Sequence, residues 1–286
     1  MKTTSQGNHG YNILWFFFLA FGFTWAYWIP QALATKEGLK IESPNILAIL
    51  AGYGPALAAI ITIGIASGWV GIKRLLSRLL LWRVGIIWYL VALFLPLLTV
   101  LLAMGIQLMF DSDAHATVTL LSLQTNLSEG SFWKDFLMFG ILFIVGFDGF
   151  GEELGWRGFA LPGLLLNYNA LVSSLFLGVL WAVWHLPFQF AVEGTMSVQS
   201  FASFLLGILS TSILFTWLYK NTNGSILLCI LFHAAFNLTN MMLPRLLPEA
   251  DSMGYWNTFS LLSIALIVII RFGPSQLSKK IAPRSN

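Results

Sequence analysis

The sequence predicts an all-α protein, a polytopic transmembrane helical bundle of about eight spans with both termini cytoplasmic. Three observations predict it. Hydrophobic residues make up 57% of the 286 residues and charged residues only 9%, against roughly 25% charged in soluble domains. The mean hydropathy is +0.79. The apolar residues are gathered into runs of about 20, the length that crosses a bilayer as a helix. Residues 1–286 read as one membrane domain.

The spans follow in order. Tyr11 to Ala34 is the first; it lacks a small-residue cleavage site and reads as a helix rather than a cleaved leader. Asn45 to Ser67 and Val84 to Phe110 are the next two, and Phe132 to Gly151 is the fourth. Ala170 to Val192, Phe201 to Tyr219, Ser225 to Leu243 and Tyr255 to Ile270 complete the set. Between the second and third, "GIKRLLSRLLLWRV" is basic with leucines at helical spacing, as in an interfacial amphipathic helix. "LPGLLLNYN" has a similar character. Residues 271–286 read as a polar, mobile cytoplasmic tail.

With eight spans, one side collects Lys2, Lys73, Arg74, Arg78, Arg83, Arg157, Lys220, Arg271, Lys279, Lys280 and Arg284. The other collects Lys36, Lys40, Lys134 and Arg245. The positive-inside rule then puts both termini in the cytoplasm, with the end of the fourth span near that face. The pI of about 9.0 reflects these loops and implies no nucleic-acid partner. The single cysteine, Cys229, excludes an internal disulfide and a cysteine metal cluster. Oligomeric state leaves no mark in the sequence.

Ionisable groups at membrane depth are costly, and by default they mark a functional interior. Three acidic residues lie outside the polar loops: Asp148, Glu152 and Glu153, the last two in "GEELGWRGF". Two histidines lie within spans, His185 in "WAVWHLPF" and His233 in "LFHAAFNLTN". Glu153 and Arg157 are four apart with the acid N-terminal, the better order for an ion pair on one helical face. Trp181 and His185, and His233 and Asn237, repeat that spacing. A single histidine in a membrane helix is most often a hydrogen-bond partner between helices, and a close Glu–Arg pair is more often structural than chemical. Together, a second carboxylate, two histidines and an amide on three helices form a set able to activate water.

Those three segments resemble the CPBP family of CAAX proteases and bacteriocin-processing enzymes, also called Abi proteins. The family pattern is Glu-Glu-x-x-x-Arg, then aromatic-x-x-x-His, then His-x-x-x-Asn/Asp. Glu152, Glu153 and Arg157 match the first, Trp181 and His185 the second (with Trp where Phe is also common), His233 and Asn237 the third. The resemblance covers about 132–243, the expected protease core, and Asp148 has no counterpart in it. It implies an intramembrane endopeptidase akin to the type-two CAAX prenyl proteases, acting on a peptide or protein at the bilayer. Glu152 and His185 would hold and activate water, His233 and Asn237 would stabilise the oxyanion, and Glu153 with Arg157 would hold the helix. Substrate is expected from the membrane or cytoplasmic side, since the carboxylates lie at a span end. The family is often called metalloprotease, and Glu152, His185 and His233 would suffice for zinc with one open position. No HExxH is present, and with Glu153 paired a separate base would be missing, so a metal-free route is preferred. The rival readings are the zinc-dependent protease and a non-enzymatic immunity or scaffold protein of the same fold. A small transporter is disfavoured because no internal repeat is visible.

Overall fold

The computed structural model describes residues 5–39, 41, 45–110, 130–145, 149–193, 198–246 and 254–279. Among them are eleven α-helices and no strand. These are α1 (Ser5–Lys36), α2 (Asn45–Gly52), α3 (Gly54–Ser77), α4 (Ile86–Phe110), α5 (Gly130–Val145), α6 (Gly149–Gly155), α7 (Leu161–Leu164), α8 (Ala170–Glu193), α9 (Val198–Asn221), α10 (Ile226–Leu246) and α11 (Gly254–Phe272). Seven of them, α1, α3, α4 and α8 to α11, are long and apolar enough to cross a membrane. The chain is a multi-pass, all-α membrane protein, as the composition predicts.

Two expected spans are divided. Asn45 to Ser67 breaks at Tyr53, where α2 ends and α3 starts with a proline in its first turn. Pro55 has no N–H to continue the α2 ladder but suits a helix start. The fourth segment is α5, which ends at Val145, and α6, which begins at Gly149. Asp148 lies outside the described residues.

The basic stretch expected to be interfacial begins inside α3 and continues through a short 3₁₀ turn, Arg78–Leu80. Gly68, at φ 58° and ψ −156°, turns the chain in a conformation that only glycine adopts readily. Beyond it Trp69 and Val70 are exposed while Leu75 is buried. Lys73 lies 5.8 Å above the Trp69 ring and Arg83 5.1 Å above Trp82, the pairing of charge and indole expected at a headgroup layer.

The segment from Arg271 is a correction to the expected mobile tail. Arg271 and Phe272 complete α11. The backbone N–H groups of Ala170 and Leu171 donate to the carbonyls of Ser275 and Pro274 at 3.0 Å each, capping the start of α8. Leu277 is fully buried, and its carbonyl accepts from Asn221 Nδ2 at 2.9 Å. The stretch docks because it satisfies α8 donors that no preceding turn can reach. Residues 280–286 lie outside the described set.

These contacts define the two ends of the bundle. One holds the end of α3, the start of α8, the α9–α10 turn and the docked 274–278 segment. The other holds the end of α1, the start of α5, the end of α10 and the start of α11, with Phe110 stacked on Trp256 at 5.9 Å.

Candidate active site

Glycine positions the carboxylates. Gly151 and Gly155 are one turn apart on α6, and the chain entering α3 lies against both. A Cβ on Gly151 would meet Gly52 O at 2.8 Å, and one on Gly155 would meet Pro55 at 2.5 Å. This is the small-xxx-small contact by which membrane helices approach backbone to backbone. With that face turned to α3, Glu152 and Glu153 point to the interior, at 3% and 0% exposure. After Gly155 the helix widens into a π-type turn, Trp156–Ala160, a distortion frequent at functional sites. Arg78 Nη1 donates to Gly158 O in that turn at 3.1 Å and approaches the Tyr219 hydroxyl at 3.3 Å.

The two adjacent glutamates serve different helices. Glu153 Oε1 accepts from Arg157 Nη1 at 2.8 Å and from His233 Nδ1 on α10 at 2.7 Å. The expected Glu153–Arg157 pair is therefore present, with a histidine added to it. The Arg157 guanidinium is fully buried, with Phe215 and Trp181 ring centroids 3.8 and 4.6 Å away. Its Nε and Nη2 and Glu153 Oε2 make no hydrogen bond among the described residues. The ring faces take the place of acceptors for the cation.

Glu152 Oε2 accepts two indole N–H bonds, from Trp181 Nε1 at 2.6 Å and Trp156 Nε1 at 3.2 Å. Its other oxygen, Oε1, stands 4.0 Å from His185 Nε2. His185 Nδ1 donates to Trp181 O at 2.8 Å, which leaves a lone pair on Nε2 in the neutral ring. The Trp184 ring packs edge-on to His185 at 4.7 Å and fixes the imidazole plane.

Glu152, His185, His233 and Asn237 line one cavity of about 1230 Å³, together with Trp181, Trp184 and Phe215. Glu153 and Arg157 lie behind its wall. Asn237 is one turn beyond His233 on α10. Two contacts escaped the sequence reading. Glu152 does have a partner at i+4, Trp156, because the indole N–H is a donor as well as a packing surface. The Glu153–His233 bond joins α6 to α10, and no spacing within either helix reveals it. Among the described residues no group of three His, Cys, Asp or Glu side chains is disposed to hold a metal ion.

Residues 133–239 match the family model described as type II CAAX prenyl endopeptidase Rce1-like. The chain is also 34% identical over 119 residues to a CAAX prenyl protease 2 of Methanococcus maripaludis. That alignment covers 40% of this chain and 43% of the relative, so the chain spans less than half the length of the curated relative it matches. The matched segment carries all three motifs. Over residues 133–239 the chain is therefore similar to the type II CAAX prenyl endopeptidases of the Rce1-like family.

Proposed function

We propose that this protein is an intramembrane endopeptidase of the CAAX-protease type, hydrolysing a peptide bond of a polypeptide held at the bilayer. The observation that carries the reading is the 4.0 Å separation of Glu152 Oε1 and His185 Nε2 on the cavity wall. It is too long for a direct hydrogen bond and suits one water donating to both acceptors. That water keeps a lone pair for the scissile carbonyl carbon. As its C–O bond forms, its proton passes to Glu152, the general base. The carbonyl oxygen becomes an oxyanion, for which Asn237 offers its amide N–H and His233 its Nε2–H. Since His233 Nδ1–H is committed to Glu153, donation from Nε2 needs the imidazolium form, with Glu153 as counter-ion. Collapse of the intermediate breaks the C–N bond, and Glu152 returns its proton to the leaving amine.

The indole pair fixes which oxygen does the work. With Oε2 bound to Trp181 and Trp156, the carboxylate cannot rotate Oε1 away from the water without breaking both bonds. The ligand set expected for zinc fits poorly. Among the described residues no three His, Cys, Asp or Glu side chains are grouped so that one ion could be held. We therefore derive no step through a metal.

Glu152→Gln tests the assignment. The Gln carbonyl can still accept from both indoles, so yield and melting temperature should be unchanged, while loss of the base should lower turnover by about 10²–10⁴-fold. The readout is the set of membrane polypeptides that persist uncleaved in cells carrying the variant. Equal processing by the variant and the unmodified protein would refute the role.

A further inference from the structure

We propose that residues 73–83 bind the phosphate of an anionic phospholipid headgroup, and that Arg78 relays its occupancy to the turn that holds Glu152 and Glu153. The binding site stands on its own, and its consequence for turnover rests on the protease reading.

The stretch bears directly on the candidate site. A Cβ on Gly158, in the π-type turn, would meet Leu75 Cδ1 at 2.7 Å and Ile226 Cδ1 at 3.0 Å. Leu75 therefore packs closely on that turn. Arg78, three residues further on, donates from Nη1 to Gly158 O at 3.1 Å and to the Tyr219 hydroxyl at 3.3 Å. The same turn carries Trp156, which donates to Glu152, and Arg157, which pairs with Glu153. Arg78 lies outside residues 133–239, so the family match assigns it no role. Its hydrogen bonds to described residues all leave from Nη1. Nε and Nη2 keep the outer edge of a half-buried side chain.

The charge around that edge is one-sided. Arg74 and Arg78 are four apart on one helical run, a spacing at which like charges repel. Lys73, Arg74 and Arg83 are exposed. No Asp or Glu occurs in residues 54–110, and none in the neighbouring connections 161–170, 221–226 and 272–279. Lys220, beside Tyr219, is bonded to a neutral acceptor, Gln276 Oε1, at 2.9 Å. Four cations with no carboxylate among them call for an anion from outside the chain.

The surroundings favour a lipid over a free phosphate. Two exposed indoles bracket the cations, Trp69 beneath Lys73 and Trp82 beneath Arg83. Val70, Leu80 and Leu81 are exposed beside them. That apolar surface suits acyl chains, and clusters of Lys and Arg at a membrane surface recruit anionic headgroups. Nε–H and Nη2–H of a guanidinium are parallel and take a phosphate bidentately. A phosphate there fixes the guanidinium plane and keeps Nη1 aimed at Gly158 O. The headgroup thus secures the turn that orients both glutamates.

Short-chain phosphatidylglycerol, titrated into the detergent-purified full chain and followed by native mass spectrometry, reads binding without activity. Each Lys or Arg near a headgroup contributes about 1 kcal/mol, or about fivefold in affinity. Lys73→Gln, Arg74→Gln and Arg83→Gln combined should therefore weaken phosphatidylglycerol about 100-fold and leave the zwitterionic control, phosphatidylcholine, as it was. Equal binding of the two lipids, an unweakened triple variant, or full displacement by inorganic phosphate at equal concentration would overturn the site. Hydrogen exchange over residues 153–160 in nanodiscs reads the relay. Changing phosphatidylcholine for phosphatidylglycerol should slow exchange about tenfold in the unmodified chain, the worth of one charge-assisted hydrogen bond. The effect should vanish in Arg78→Gln and in the triple variant, whose changes lie on exposed positions, and return in part in Arg78→Lys. A purely structural brace would instead raise exchange in Arg78→Gln by one factor in both lipids, and that outcome overturns the relay. Neither readout needs turnover, so both stand if Glu152→Gln refutes the protease reading. With a cleaved reporter, kcat should rise with phosphatidylglycerol at constant KM; an insensitive kcat would overturn the consequence for turnover.

Discussion

Replacing Arg157 should destabilise the bundle by several kcal/mol, and the nature of the replacement should decide how much. Arg157 is fully buried, bonded to Glu153 through one nitrogen at 2.8 Å and sandwiched against Phe215 and Trp181. Arg157→Ala leaves the Glu153 carboxylate with His233 as its one remaining polar neighbour at hydrogen-bond distance among those described. Breaking a buried ion pair in this way costs about 3–5 kcal/mol. Loss of the desolvated cation–π contacts adds about 2 kcal/mol, though the two terms share the same charge and do not sum fully. Arg157→Lys should do better than at a bidentate site, because Nε and Nη2 make no hydrogen bond that lysine would forfeit. It should lose mainly the ring contact, about 2 kcal/mol. The assay is thermal unfolding in detergent. At roughly 2–4 °C per kcal/mol for a chain of this size, Arg157→Ala should fall by about 10 °C or more and Arg157→Lys by about half that. A melting temperature for Arg157→Ala within 2 °C or so of the unmodified protein would refute the reasoning. Equal losses in the two variants would show that the charge is not what matters.

Two further outcomes follow from the site. Trp181→Phe keeps a ring against Arg157 and His185 but removes the 2.6 Å donor to Glu152. A hydrogen bond to a charged group is worth about 1.5–3 kcal/mol, so kcat on a cleaved reporter should fall about 10–100-fold with KM little changed, and an unaltered kcat would exclude a positioning role. Protein stripped with a strong chelator and checked by elemental analysis should keep its turnover; loss of activity restored by about one equivalent of zinc would overturn the metal-free mechanism.

The sequence made the helices legible because lipid imposes a simple rule, long apolar runs with charges confined to the ends. It made Glu153–Arg157 legible because four residues is the helix repeat. What it hid was mostly tertiary. His233 meets Glu153 across 80 positions and Trp181 meets Glu152 across 29. Trp156 was hidden for another reason. It stands at the right spacing, but in a membrane protein with 12 tryptophans an indole suggests packing or an interfacial anchor before a hydrogen-bond donor. The glycines of "GEELG" were in plain view, yet their role depends on which helix approaches them. The end of the chain misled because its composition is polar, while its order comes from the backbone N–H groups of α8 that need acceptors.

The two neighbouring glutamates acquire their separate roles from one turn of helix. Adjacent positions on a helix point about 100° apart, so a carboxylate pair in sequence cannot act as a pair in space. The Gly151–Gly155 face fixes α6 against α3, and that rotation directs Glu152 to α8 and Glu153 to α10. Glu153 meets the Arg157 cation and a histidine, which tie α6 to α10. Glu152 meets two indole N–H groups and stands 4.0 Å from His185 Nε2. Moving either glycine face would turn both carboxylates at once. That is why the backbone contact of α6 with the chain entering α3 belongs to the site as much as the side chains that line it.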